Sequence, residues 1–308
     1  MILAPMQGLT ELLFRRVYER LFPGVFSYAI SPFISLTKGN LRHATEKIDD
    51  VLPENNVGSM SVVPQILGNE PEEFIALGNR LYDVGYEEVN WNIGCPMRRI
   101  TAKHRGSGIL PYPDEIKRTL DVVLPMLKPA LSVKMRIGLK DASEMLTVVD
   151  ILNQYPLKNV TIHPRLGRQQ YAGIPDLDTF NVAYNTIHHP LIYNGDINTS
   201  KDYEIIVTRF PNIADVMVGR GIFYNPCFPL LINGKEINVV EENKRLLRDL
   251  LNEIYGAMPT NEARIRKTKE YWSLMWRGVG VTELQAKDIL RSTTIEQIQS
   301  KLEHVISQ

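Results

Sequence analysis

Short apolar runs alternate with amphipathic stretches along the first 220 residues of the chain. Eight of these runs predict β-strands, at residues 2–6, 26–31, 62–67, 88–93, 131–135, 159–163, 191–194 and 215–218. Helix signals lie between them: Pro71 precedes two acidic residues, Gly85 follows a last apolar position, and Pro113 opens another helix. Strands that alternate with helices indicate a parallel sheet, and eight repeats favour a closed (β/α)8 TIM barrel over an open doubly wound sheet.

Helical periodicity continues beyond the last predicted strand. Residues 240–306 show the pattern of three or four amphipathic helices, for example over residues 241–255 and 261–276. The sequence therefore predicts two domains, an α/β barrel over residues 1–235 and a small C-terminal helical domain over residues 236–308.

The composition is that of a globular protein with a sizeable core, because 44% of the 308 residues are hydrophobic and 23% are charged. No run approaches the roughly 20 apolar residues of a membrane helix, and no secretory signal pattern opens the chain. Two cysteines fit a reducing compartment, so we expect a cytoplasmic protein that binds no membrane. The 35 basic residues balance the 35 acidic ones, so a polyanionic partner would need a local basic surface.

Polar or glycine residues stand at or just past the end of every predicted strand. In a barrel these positions all open on the carboxyl-terminal face, where barrel enzymes carry their active sites. Loops are polar in general, but recurrence at all eight strands predicts a functional site at this face. The positions are Gln7, Ser31, Gln65, Asn92 with Cys95, Lys134 with Arg136, His163 with Arg165, Asn194 with Asp196, and Gly219 with Arg220.

Cys95 is the most informative of these residues, because it follows a strand directly and stands between Gly94 and Pro96. The only other cysteine is Cys227, so neither a disulfide framework nor a cysteine-rich metal site accounts for it, and we expect no metal. The alternative is a small buried hydrophobic residue.

Two strand ends predict a phosphate site. Residues 194–197 end the seventh strand and residues 219–221 end the eighth, where barrels commonly bind phosphate through loop amides, and Arg220 would supply positive charge. Two ordinary turns are the alternative. No G-x-G-x-x-G or P-loop pattern occurs, which favours a mononucleotide cofactor with one phosphate.

Lys134 and Gln65 are polar residues in otherwise apolar strands. A lysine that points into a barrel needs a partner, such as a bound anion or an electron-rich cofactor. The amide of Gln65 both donates and accepts, as the edge of a heteroaromatic ring requires. For each residue, an internal hydrogen bond is the alternative.

Seven motifs in order resemble the flavin-dependent tRNA-dihydrouridine synthases, over roughly residues 1–226. Each motif is weak by itself, but the ordered set is specific, and the helical tail also fits this family. The motifs are LAPMQG at 3–8, QILG at 65–68, NIGCP at 92–96, VKMR at 133–136, HPR at 163–165, NGDI at 194–197 and VGRG at 218–221.

The resemblance implies an FMN-dependent oxidoreductase that reduces the C5=C6 bond of uridines in the tRNA D loop, with NADPH or NADH as reductant. Cys95 would give the proton to C5, and a thiol with an ordinary pKa near 8.5 is protonated at neutral pH. The implied FMN-binding residues are Pro5, Met6, Gln7, Gln65, Lys134, His163, Asn194, Gly195, Asp196, Gly219 and Arg220.

The implied substrate is tRNA, and we expect a monomer that binds it through two basic clusters. One cluster follows Cys95, at residues 98–105, and the other lies on a tail helix, at residues 264–269. Solvated charged surfaces are the alternative for either cluster. The expected substrate-binding residues are Asn92, Arg165, Tyr171, Arg266 and Lys267.

One motif departs from the family pattern, because Leu166 follows residues 163–165 where the family usually has Thr or Ser. The motifs do not fix the uridine that is reduced, although the helical tail favours the bacterial enzyme for position 16. Two other interpretations remain: an FMN barrel that acts on free pyrimidines, against which the basic tail argues, and a non-catalytic tRNA-binding barrel, against which Cys95 argues.

Overall fold

The structure is a computed structural model that describes residues 1–35, 48–58, 60–232 and 234–307. Within those ranges nine strands form one sheet, in the order β3, β2, β1, β9, β8, β7, β6, β5, β4, and all paired strands are parallel. The strands are β1 (Ile2–Leu3), β2 (Tyr28–Ile30), β3 (Ser61–Val63), β4 (Gln65–Ile66), β5 (Glu88–Ile93), β6 (Ala130–Arg136), β7 (Val160–His163), β8 (Leu191–Asn194) and β9 (Asp215–Val218).

The two ends of this strand order meet at Pro64, so the sheet closes into a barrel. Strands β3 and β4 are two parts of one extended segment, and Pro64 separates them because it has no N–H for the ladder. Its carbonyl oxygen still accepts from the N–H of Asn90 (2.9 Å), while the oxygen of Val63 accepts from Ser31 (3.0 Å) on the other side. The predicted (β/α)8 barrel is therefore confirmed, with all eight predicted strands in place.

Helices surround the barrel, and two of them begin at the predicted prolines, where a missing N–H costs no helical hydrogen bond. No helix within the described ranges has the length and apolar character that crossing a lipid bilayer requires. The described helices are α1 (Leu12–Leu21), α2 (Pro71–Asp83), α3 (Arg98–Thr101), α4 (Pro113–Val123), α5 (Glu144–Leu152), α6 (Leu177–Thr186), α7 (Ser200–Arg209), α8 (Gly221–Tyr224), α9 (Phe228–Ile232), α10 (Val239–Ala257), α11 (Asn261–Met275), α12 (Glu283–Arg291) and α13 (Ile295–Ser307).

Alternation along β5 and β6 decides which side chains reach the barrel interior. Trp91 packs outward against helix α2, so Asn90 and Asn92 lie on the opposite face of β5. The parallel register pairs Asn90 with Ser132 and Asn92 with Lys134 on the neighbouring strand. Polar side chains of both strands therefore meet inside the barrel, near its carboxyl-terminal end.

Helices α10 to α13 follow the barrel, as the helical periodicity of the tail predicts. Helix α10 packs against α1, and α11 packs against α8. The side chains of Asn238 and Thr260 cap the first turns of α10 and α11, respectively, by accepting hydrogen bonds from backbone N–H groups that have no helical partner.

Helix α11 is anchored to the loop that follows β1. Nζ of Lys267 donates to the backbone oxygen of Gly8 (2.6 Å) and to the carboxylates of Glu11 (2.7 Å) and Glu270 (3.2 Å). Gly8 has a φ of 79°, and a Cβ at this position would lie 2.0 Å from Oε1 of Glu270. The close fit brings the tail to the carboxyl-terminal face of the barrel.

Candidate active site

A cavity of about 1000 Å³ opens at the carboxyl ends of the strands. Residues of the strands or of the segments that follow them line it, and helix α11 closes one side with Glu270, Ser273 and Leu274. Fourteen residues that the sequence identifies as candidates lie on its surface, and these are Pro5, Met6, Gln7, Gln65, Asn92, Cys95, Lys134, His163, Tyr171, Asn194, Gly195, Asp196, Gly219 and Arg220.

The backbone of Cys95 is held from two sides. Its N–H donates to Oδ1 of Asn92 (2.9 Å), and its carbonyl oxygen accepts from the backbone N–H (3.0 Å) and the hydroxyl (3.1 Å) of Ser107. Gly106 packs directly against this peptide with a φ of 57°, and a Cβ there would lie 2.5 Å from the oxygen of Cys95. The thiol is therefore presented to the cavity by a tightly held loop.

Burial raises the pKa of the Cys95 thiol, and this effect exceeds the opposing influence of the Met97 N–H and of the charges of Arg136, Arg99 and Lys134. The sulfur is thus protonated at neutral pH. A protonated thiol is suited to giving a proton, whereas nucleophilic attack and metal binding need the thiolate.

A row of uncharged side chains, which we call the amide wall, begins behind the cavity and ends on its surface. It consists of Ser132, Asn90, Gln65 and Asn92, joined in that order by hydrogen bonds of 2.9, 2.8 and 2.7 Å. Oδ1 of Asn92 then accepts from the backbone N–H groups of Gly94 (3.0 Å) and the residue that follows it (2.9 Å). The amide wall therefore connects the barrel interior to the loop that carries the thiol.

A second group of side chains, on the cavity surface and directly behind it, is charged. We call it the arginine wall, and it consists of Arg136, Arg165 and Arg220 with Asp196 and Tyr171. Both terminal nitrogens of Arg165 donate to the carboxylate of Asp196, one at 2.9 Å, and Arg220 donates to its Oδ1 (2.8 Å). Partial burial opposes ionisation of Asp196, but the two arginines hold its pKa below the usual range. The ring of Tyr171 lies beneath the guanidinium groups of Arg220 (4.8 Å) and Arg136 (5.7 Å).

His163 is neutral and has one defined tautomer. Burial lowers its pKa well below the usual range, with nearby Arg136 and Lys134 adding to the effect. An N–H of Arg165 faces Nε2 of His163 at 3.1 Å. Because arginine only donates, Nε2 accepts and the ring proton lies on Nδ1.

Lys134 stands beside Asn92 in the strand register and two residues before Arg136, and it makes no hydrogen bond or ion pair with any residue of the described ranges. Burial, together with the positive charge of Arg136, lowers its pKa to about 7. A cation without a partner beside other cations suits an anionic or electron-rich ligand.

Three expected substrate-binding residues lie away from the cavity surface. Arg165 is 1% exposed and holds Asp196 from behind, through the bonds described above. Lys267 is engaged by the loop after β1 and by Glu270. Arg266 is exposed on α11.

Sequence reasoning gave no role to Arg136, although it noted this strand end. The buried guanidinium donates from Nε to the oxygen of Gly94 (3.1 Å) and from NH1 to the oxygen of Leu166 (2.9 Å), so it braces the thiol loop. From the sequence, Asn90 and Ser132 were also assigned no role. Asn90 stands two residues before Asn92, and Ser132 stands two residues before Lys134. Because residues two apart on a strand point to the same face, this spacing could have identified them.

Comparison with known proteins agrees with the sequence motifs. The family described as dihydrouridine synthase (Dus) matches residues 2–273. The tRNA-dihydrouridine synthase B of Pasteurella multocida is 30% identical over 253 residues, which cover 82% of this chain and 73% of that protein. A probable tRNA-dihydrouridine synthase of Staphylococcus epidermidis is 28% identical over 303 residues, covering 92% of this chain and 87% of that protein.

Among solved structures, histamine dehydrogenase from Rhizobium sp. 4-9 aligns with a TM-score of 0.59 at 8% identity, covering 100% of this chain and 62% of that one. This likeness concerns the fold alone. The family match spans the barrel and much of the tail, and it confirms the resemblance indicated by the seven motifs. The chain therefore belongs to the dihydrouridine synthase family of oxidoreductases.

Proposed function

We propose that the protein is an FMN-dependent tRNA-dihydrouridine synthase that reduces the C5=C6 bond of uridines in the D loop of tRNA, with NADPH or NADH as reductant. The observation that carries the proposal is the placement of a protonated thiol, Cys95, and a cation without a partner, Lys134, in one cavity of about 1000 Å³. Membership of the family and the names of the relatives support it.

The residues around the cavity fit FMN. The backbone N–H groups of Gly219, Arg220 and Gly221 donate to no atom of the described residues, so they are free for a phosphate at the end of β9. The phosphate would be held there and by residues 194–196, and the ring would lie against Met6, Gln7, Gln65, Lys134 and His163.

The bound flavin would supply a hydride to C6 of uracil. Cys95 supplies the matching proton: its S–H bond breaks as a C–H bond forms at C5, and the electron pair of the S–H bond stays on sulfur. The N–H of Met97 and the charge of Arg136 stabilise the resulting thiolate. Because burial keeps the thiol protonated beforehand, the proton is in place when the base arrives.

The tRNA would be bound by the rim of the cavity and by the tail, which we propose as the RNA-binding domain. Arg98 and Arg99 are exposed directly after the thiol loop, and Arg266 is exposed on α11, whose residue Glu270 lines the cavity. A target base must leave its stack to enter, at a cost of a few kcal/mol that flexible loops reduce.

Replacement of Cys95 tests the proposal. We expect Cys95→Ala to retain FMN and tRNA binding but to lose dihydrouridine formation by about 100-fold or more, since general acids typically contribute ~10²–10⁴. The assay is dihydrouridine in a tRNA transcript after incubation with FMN and NADPH, and Cys227→Ala controls for loss of a thiol elsewhere. Unchanged turnover in Cys95→Ala would exclude the general-acid role.

The same preparation separates the remaining interpretations. Turnover of free uracil or dihydroorotate in place of tRNA would favour an enzyme of free pyrimidines. A colourless wild-type protein that binds tRNA but no flavin would favour a binding protein. Mapping dihydrouridine along the tRNA of a strain that lacks the gene identifies the uridine, with position 16 as the expectation.

A further inference from the structure

The amide wall extends behind the cavity surface. Gln65, Asn90 and Ser132 are all 0% exposed, but Gln65 lines the cavity together with Asn92, whereas Asn90 and Ser132 do not. Nδ2 of Asn90 donates to the hydroxyl of Ser132 (2.9 Å), and Oδ1 of Asn90 accepts from Nε2 of Gln65 (2.8 Å). A buried pair thus contacts one of the two amides that a ligand can reach.

The direction of every hydrogen bond in the amide wall follows from one end. The backbone N–H groups of Gly94 and Cys95 can only donate, so Oδ1 of Asn92 must face them. Nδ2 of Asn92 must then face Oε1 of Gln65 (2.7 Å). Gln65 in turn directs its Nε2 to Oδ1 of Asn90, and the hydroxyl of Ser132 accepts at the far end, so no single amide can rotate without opposing two donors or two acceptors.

We propose that Asn90 and Ser132 are positioning residues, which hold Gln65 and Asn92 with amide N–H groups available to a ligand beside Cys95. Each amide nitrogen uses one hydrogen within the wall and leaves one with no partner in the described residues. Asn92 is a donor only, because both lone pairs of its oxygen are engaged by backbone.

This polarity selects the ligand edge. Opposite Asn92 the ligand edge must carry a hydrogen-bond acceptor, as a diketo pyrimidine ring does, whereas an amino group there would bring a donor against a donor. Uracil and the pyrimidine ring of a flavin both have this chemistry. The inference rests on the proposed function, and flavin binding and base reduction can be measured separately to distinguish the two ligands.

The test uses substitutions behind the cavity. Asn90→Leu removes the acceptor for Gln65 at similar volume, Asn90→Asp keeps an acceptor oxygen, and Ser132→Ala removes only the last acceptor. Asn159→Leu is the matched control, because Asn159 is also a buried barrel asparagine but precedes β7 at the opposite end. Flavin affinity is measured by fluorescence titration of the apoprotein. Base reduction is measured with tRNA transcripts that carry uridine or cytidine at the target position. Amide-proton exchange of Gln65 is measured by ¹⁵N NMR.

We expect flavin affinity about tenfold weaker in Asn90→Leu, within about threefold of wild type in Asn90→Asp, and about two- to threefold weaker in Ser132→Ala. The Gln65 amide protons should exchange faster in Asn90→Leu only, and Asn159→Leu should change thermal stability alone. Wild-type flavin affinity together with slow Gln65 exchange in Asn90→Leu would overturn the proposal. If the leucine variant does not fold, wild-type flavin affinity in Ser132→Ala together with unchanged base reduction would overturn it.

The two arms fail independently. If wild-type protein binds no flavin, the proposed function fails, while amide exchange in the apoprotein still decides whether Asn90 positions Gln65. If only the uridine arm responds to Asn90→Leu, the ligand oriented by the amide wall is the base rather than the cofactor.

Discussion

The amide wall and the arginine wall belong to one cavity but are built on opposite principles. The amide wall carries no formal charge, and its internal bonds fix the direction of each side chain. The arginine wall contains three arginines and a single carboxylate, Asp196, which pairs with Arg165 and Arg220 only, so the wall keeps a surplus of positive charge. The difference suits two tasks: uncharged donors of fixed direction suit a neutral ring, and surplus positive charge suits an anion.

The first prediction breaks the arginine wall. Arg220→Ala removes a cation from the turn proposed for the phosphate and leaves Asp196 with one arginine fewer. Because the remaining carboxylate would repel a phosphate, we expect flavin affinity to fall by about 100-fold. Fluorescence titration measures it, and Arg209→Ala, an exposed arginine on α7 paired with Asp178, is the control.

Salt dependence sharpens the contrast. The loss in Arg220→Ala should shrink as ionic strength rises from 0.05 to about 0.5 M, because salt weakens the charge attraction in the wild type. The loss in Asn90→Leu should not change with salt. Equal salt dependence in both variants would show that the walls do not divide the work in this way.

The second prediction concerns Lys134, which neighbours Asn92 of the amide wall and Arg136 of the arginine wall. Its pKa is about 7 in the folded apoprotein against an ordinary 10.5. Between these values the unfolded chain binds more protons, so the contribution of Lys134 to stability improves as pH rises from 7 toward 10 and is most unfavourable below 7. Lys134→Met should therefore raise the apoprotein Tm by several degrees at pH 6.5 and by progressively less up to pH 9.

Thermal unfolding of both proteins across this pH range is the measurement. Lys201→Met, on the exposed part of α7, should leave the wild-type pH profile unchanged. A constant Tm difference between Lys134→Met and wild type at all pH values would mean that the lysine keeps its ordinary pKa in the barrel.

The third prediction has the smallest expected effect. It compares the arginine wall with the tail, and it tests whether the basic residues of the tail bind tRNA or stabilise the fold. Arg266 is exposed and makes no hydrogen bond or ion pair within the described residues, so Arg266→Ala should weaken tRNA binding about two- to fivefold without a change in Tm. Lys267 is bonded to Gly8 and two carboxylates, so Lys267→Ala should lower Tm. Filter binding at two salt concentrations and thermal unfolding distinguish these outcomes, and a Lys267→Ala variant of normal Tm but weak tRNA binding would reverse the assignment.

The sequence predicts the strands and the cavity surface well, because both follow from local periodicity. Fourteen candidate residues lie on one cavity since strand ends in a parallel barrel must meet at one face. Arg165 and Lys267, which were expected to contact substrate, do not line the cavity. Their side chains are bonded to groups from other segments, Asp196 for Arg165 and the loop after β1 for Lys267. Sequence shows a charge but not which opposite charge it will contact.

Gly106 carries a consequence for mutational tolerance. The atom nearest to a Cβ at position 106 is the backbone oxygen of Cys95, at 2.5 Å, and a backbone atom cannot be trimmed by a second substitution. Position 106 should therefore be as intolerant in a saturation screen for activity as position 95 itself, although it carries no reactive group. Loss of activity in a Gly106 variant would show that activity depends on the position of the Cys95 backbone. A smaller residue at position 95 should not restore that activity.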